Sequence, residues 1–155
     1  MRASDLNLGP LTASLVVSAD GEHVGLDGTS KSLGGQADFE WFIGLRNRAE
    51  VILTSGKTFR DEGYKQPKQS RLAAFTRNEQ GNSLFDDTLL ITPENASNYT
   101  EALQYLLGQG HSRIHCEFGP TGFLELSRTG LVECYLSSEK VTGIENFSHR
   151  HGASF

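Results

Sequence analysis

The run Val51-Ile52-Leu53-Thr54 does most to limit what this chain can fold into. Three apolar residues in a row, with no polar position between them, describe a short strand covered on both faces. Just before it, Phe39, Phe42, Ile43 and Arg46 follow a helical period within residues 36–48. Asp38 and Glu40 sit at the end of that segment where negative charge is favoured, and Arg46 and Arg48 at the other. A helix feeding a doubly covered strand is half of a βαβ unit, so a parallel sheet is expected.

The same alternation runs through the chain. Residues 11–18 are β-branched and apolar and stop at the turn signal Asp20-Gly21. Residues 19–35 hold five glycines among polar residues and read as a long loop, a kind of segment that is often functional. A helix can start at Lys57 and end by Gly63. Residues 71–77 and 88–92 are further strands, divided by a polar loop. Ala102, Leu103, Leu106 and Leu107 mark an amphipathic helix that ends at Gly108 or Gly110. Residues 113–117 read as a strand, 121–128 as a helix and 131–136 as a strand. From Ser137 the chain is polar and reads as a terminal segment, as do residues 1–10.

At 155 residues and 17.0 kDa the chain is expected to form one domain. A 37% hydrophobic and 21% charged composition excludes disorder and allows a core without staples. The net charge of −5 argues against a nucleic-acid partner. Cys116 and Cys134 make no CxxC pair and read as buried thiols. No secretory leader and no run of about 18 apolar residues is visible, so a cytoplasmic chain without membrane contact is expected.

In a parallel sheet, ligands bind beyond the carboxyl ends of the strands. Residues 19–21, 54–56 and 117–121 follow such ends. Gly56-Lys57-Thr58 ends like a phosphate-binding P-loop, but that motif needs glycine at position 51, which is Val. Cys116-Glu117-Phe118-Gly119-Pro120-Thr121-Gly122 joins a strand to a helix. Pro120 suits a first helical turn, Gly119 allows close approach, and the free amides of residues 119–122 can cradle a diphosphate. Lys31, Lys57 and Arg60 surround these loops and can pair with a phosphate. His115 reads as a packed histidine, Trp41 as a core or dimer contact, and His149 with His151 as solvated, with no metal site.

Four landmarks in order carry a family resemblance. They are Ser18-Ala19-Asp20-Gly21; Gly28-Thr29-Ser30-Lys31 ahead of Leu45-Arg46; Gly56-Lys57-Thr58-Phe59-Arg60-Asp61-Glu62; and Glu117-Phe118-Gly119-Pro120-Thr121 ahead of Gly130-Leu131-Val132-Glu133. The chain resembles the C-terminal reductase domain of the bacterial bifunctional riboflavin-biosynthesis deaminase-reductase. That resemblance implies a three-layer, dihydrofolate-reductase-like α/β domain with a mostly parallel central sheet. It further implies an NADPH-dependent homodimer that reduces a phosphoribosylamino-pyrimidine or related heterocycle. Carried over, Thr54, Ser55, Gly56, Thr58, Glu117, Gly119, Pro120 and Thr121 would bind the cofactor. Ser18, Ser30, Lys31 and Asp61 would face the substrate, with Asp20 and Glu62 as catalytic acids. The chain departs from the pattern at Phe118, where the family has glycine, and at Glu62-Gly63-Tyr64, where it reads Asp-Asp-Pro. A non-catalytic member that binds a ligand or partner is the competing reading.

Overall fold

A computed structural model describes residues 9–18, 20–22, 36–77, 85–138 and 140–153. Along the chain run β1 (Leu11–Val17), α1 (Gln36–Arg48), β2 (Val51–Ser55), α2 (Gly56–Glu62), β3 (Arg71–Phe75), β4 (Leu89–Ile91), α3 (Tyr99–Gly108), β5 (Ile114–Glu117), α4 (Pro120–Ser127), β6 (Glu133–Ser138) and α5 (Val141–His151). Six strands form one sheet in the order β4-β3-β2-β5-β1-β6, and every pairing is parallel.

The apolar run at 51–54 lies where its composition requires. β2 sits inside the sheet between β3 and β5, and all five of its residues are buried. Alternate residues of each strand serve opposite layers. Ala13, Val17, Val51, Leu53, Ala73, Ile114 and Cys116 pack with Leu103, Leu106, Phe123, Leu126 and Phe147 from α3, α4 and α5. On the other face Ile52 and Leu72 pack with Phe59 of α2, and His115 meets Phe42 of α1. The domain is therefore three-layered, with the sheet in the middle.

Helix ends follow their local chemistry. Ser55 caps α2 by accepting from the Thr58 amide, and Gly63 closes it with φ +60°, a left-handed conformation that favours glycine. Asn98 caps α3 through the Glu101 amide. Pro120 opens α4.

One segment differs from its sequence reading. Residues 141–151 form α5 rather than an extended polar tail, and Phe147 on it is 1% exposed, against Phe123 of α4. One deeply buried aromatic outweighs a mostly polar segment, because burying it contributes about 1.5–3 kcal/mol. Among the described residues no helix is long and apolar enough to cross a membrane.

Candidate active site at the carboxyl edge

The chain reverses direction across the sheet between β2 and β5. From β2 it proceeds outward to β3 and β4, whereas from β5 it returns to β6. Helices α2 and α4, which follow β2 and β5, leave on opposite faces. This is the switch point at which open parallel sheets hold ligands.

Side-chain hydroxyls stitch the two sides of the seam together. Thr54 Oγ1 donates to the Glu117 carbonyl at 2.8 Å, and Thr58 Oγ1 donates to the Phe118 carbonyl at 3.1 Å. Ser55 Oγ accepts from the Thr58 amide and donates to Thr58 Oγ1 at 2.9 Å. Gly56 is needed for space, since a Cβ there would lie 2.7 Å from Thr76 Oγ1. Thr54, Ser55 and Thr58 thus come together as the sequence suggests, but their hydroxyls are turned to the protein.

The start of α4 is different. Gly119 has φ +84° and the nearest atom to its would-be Cβ is Thr58 Oγ1, at 3.6 Å. The N-cap residue is Gly119, which has no side chain to cap this helix. Gly119 and Pro120 are half-buried, Thr121 is exposed and Gly122 is buried, so the first-turn amide left facing solvent is that of Thr121. Phe118 does not obstruct it. Its ring is buried in the core, 4.7 Å from the ring of Tyr99 on α3. Gly122 makes room for it, because a Cβ at 122 would lie 2.3 Å from Phe118 Cβ.

Under the seam lies a buried polar network on the α1 side. Glu117 accepts from Arg46 through both oxygens, at 2.8 and 2.7 Å, and from the Tyr64 hydroxyl at 2.5 Å. The Arg46 guanidinium lies over the Phe42 and Tyr64 rings at 4.5 and 4.9 Å. His115 Nε2 stands 3.4 Å from Glu117 Oε2, while Thr12 and Ser14 hydroxyls meet Nδ1 and Nε2. Burial alone would raise the Glu117 carboxyl, yet the hydrogen bonds and charge of Arg46 outweigh it and hold it below its usual range. Burial lowers His115 to about 4 and keeps it neutral, and burial with Glu117 beside it pushes the Tyr64 phenol well up. Glu117 is therefore spent inside the protein rather than presented to a ligand.

The remaining residues are spread along the edge. Asp20 is exposed in the turn after β1. There Ser18 Oγ accepts from the Asp20 and Glu22 amides at 3.3 and 3.1 Å. Asp61 is exposed and pairs with Lys57 at 2.5 Å. Glu62 is half-buried at the last position of α2, about 9 Å along the helix from Gly56. β1 and β2, after which Asp20 and the helix carrying Glu62 follow, stand two places apart in the sheet, about 10 Å. Ser30 and Lys31 lie outside the described residues. Among the described residues no three His, Cys, Asp or Glu side chains could hold a metal ion.

Sequence reasoning did not foresee the network around Glu117. Its signal was present: Arg46 shares the helical stripe of Phe42 and Ile43, and a cation on a buried face needs a buried acid.

No family model and no curated protein matches the sequence. The structure does match solved ones. A pyrimidine reductase-like protein from Corynebacterium diphtheriae aligns with TM-score 0.62 at 18% identity, over 93% of this chain and 81% of that one. A diaminohydroxyphosphoribosylaminopyrimidine deaminase/5-amino-6-(5-phosphoribosylamino)uracil reductase from Thermotoga maritima aligns with TM-score 0.59 at 16% identity. That match covers 87% of this chain and 46% of the other, so the chain spans less than half of the bifunctional protein. The fold is the one these two proteins share. The expected three-layer α/β domain with a parallel sheet is the one observed, and the β2–β5 seam and the start of α4 lie on its carboxyl edge.

Proposed function

We propose that the chain is an NADPH-dependent reductase acting on a phosphoribosylamino-pyrimidine or a related heterocycle. The observation that carries this reading is the start of α4 at the switch point of a reductase fold, where the N-cap residue is Gly119 and only Thr58 Oγ1, at 3.6 Å, stands near its Cβ position. A dinucleotide phosphate fits there. The Thr121 amide faces it with the helix dipole behind it. The nearest buried carboxylate, Glu117, is neutralised by Arg46 and does not repel it. NADPH, when bound, supplies the hydride.

The chain's own part is to place and protonate. Gly119 lets the ligand approach the backbone, while Thr54 and Thr58 hold the two walls of the seam at fixed spacing. Opening the ribosyl ring needs a proton for its oxygen, and Asp20, exposed beyond β1, and Glu62, at the end of α2, are the two carboxyl groups assigned to the substrate side.

The test is a thermal melt with NADPH, with NADH as control. Cofactor at about 100 times its Kd stabilises a fold by about 2.7 kcal/mol. At about 2–4 °C per kcal/mol for a chain of this size, the midpoint rises by several degrees. No shift with either cofactor at millimolar concentration would remove hydride transfer.

A second reading has its own support. The hydroxyls of Thr54, Ser55 and Thr58 are already committed to the protein. A member of the fold that binds its ligand without turnover fits these features. Binding of NADPH with no loss of reduced-nicotinamide absorbance across pyrimidine nucleotides would favour it.

A further inference from the structure

Helix α5 and the turn after β1 are built as one unit. Gly21 has φ +83°, and a Cβ on it would lie 2.8 Å from the Phe147 amide nitrogen. A Cβ on Gly143 would lie 2.2 Å from the Ser18 carbonyl oxygen. Backbone therefore touches backbone at two points, and only glycine allows either. From the same helix Arg150 donates to the Asp20 carbonyl at 3.0 Å, to the Gly21 carbonyl at 3.5 Å and to Glu22 Oε1 at 3.0 Å. Positions 143, 147 and 150 are spaced i, i+4 and i+7, so one face of α5 is given over to this turn.

The exposed pair with Glu22 is worth little by itself. The guanidinium bonds to backbone carbonyls matter more, because they are charge-assisted and fix the carbonyl directions. A loop residue just past a strand is ordinarily among the less constrained parts of a domain. Here the turn is held from inside by the Ser18 hydroxyl and from outside by α5.

We infer that Arg150 is a positioning residue, which fixes the turn after β1 and thereby sets where Asp20 stands at the carboxyl edge. The role of Asp20 rests on the reductase reading above; the clamp on the turn does not.

Amide hydrogen exchange separates the two. In Arg150→Gln the amides of Asp20, Gly21 and Glu22 should exchange about tenfold faster or more, the scale of one charge-assisted hydrogen bond, while β2 and β5 keep their protection. Arg150→Lys should restore part of the difference. Unchanged exchange at residues 20–22, or equal loosening of the whole sheet, would overturn the inference. Two probes then read the consequence for the site: NADPH, and adenosine 2′,5′-bisphosphate, which lacks the nicotinamide. Arg150→Gln should weaken NADPH severalfold and leave the bisphosphate unchanged. Equal weakening of both, or of neither with the turn loosened, would reject positioning of the site. Failure of both probes on the natural chain would sink the reductase reading, and the exchange data would still decide the clamp.

Discussion

At the scale of single residues, Glu117 is the position where sequence and structure say most different things. By resemblance it belongs to the cofactor. In the fold it is 5% exposed and tied to Arg46, Tyr64 and His115. A carboxylate removed from water is tolerated only where its oxygens are all engaged, and these are. Its value lies in the residue after it: Glu117 fixes the end of β5, from which Phe118 and Gly119 lead into α4. Glu117→Gln leaves the partly buried Arg46 without its counter-charge and should cost about 2–3 kcal/mol in urea denaturation. The double change Arg46→Met/Glu117→Leu should cost less than the two single changes together, since it leaves no lone charge behind. A cost under about 1 kcal/mol for Glu117→Gln would mean that the network relaxes around the amide and holds little of the fold.

At the scale of elements, the strands and most helices were legible because their signals are local. The continuous run at 51–54 needed two neighbours, and it has them. Pro120 after Gly119 announced α4, and the stripe of Ala102, Leu103 and Leu106 announced α3. α5 was hidden for a physical reason. Its first residue follows Lys140, which gives no side-chain cap, and only Phe147 and Gly143 on it are buried. Its stability comes from tertiary packing, which no window of eleven residues displays. Within the site, Thr58 and Gly119 were legible as neighbours, but not the direction of the Thr58 hydroxyl. Phe118 was likewise ambiguous in sequence, and the fold resolves it through Gly122. The two positions trade volume: a large ring at 118 requires no side chain at 122. Gly122→Ala alone should destabilise by about 1–3 kcal/mol through overpacking, despite the better helix propensity of alanine. In a Phe118→Gly background the same substitution should be neutral or stabilising. A double-mutant cycle measures this coupling, and additive effects would disprove it.

At the scale of the whole molecule, the sheet carries its ionisable core across the very strands that define the fold. Thr12 and Ser14 of β1, His115 and Glu117 of β5 and Arg46 of α1 form one hydrogen-bonded patch. Such a patch ties stability to pH. In the unfolded chain an imidazole takes up a proton near pH 6.5; in the fold, burial delays this for His115 until about 4. Between those values the unfolded state binds more protons, so acid favours unfolding. The contribution is fully present above pH 6.5 and is lost as pH falls towards 4, a change of about 3 kcal/mol by linkage. Glu117, held below the usual carboxylate range, adds a second loss at still lower pH, when its own protonation releases Arg46. The midpoint of thermal unfolding should therefore be level above pH 7 and fall steadily below it. His115→Gln keeps a side chain that can meet the Thr12 and Ser14 hydroxyls but cannot titrate, so its curve should stay flatter between pH 6.5 and 4 while the fall at lower pH remains. A natural-chain curve that is flat through that interval would show that the imidazole reaches solvent on unfolding no more readily than in the fold, and that the patch is open to water.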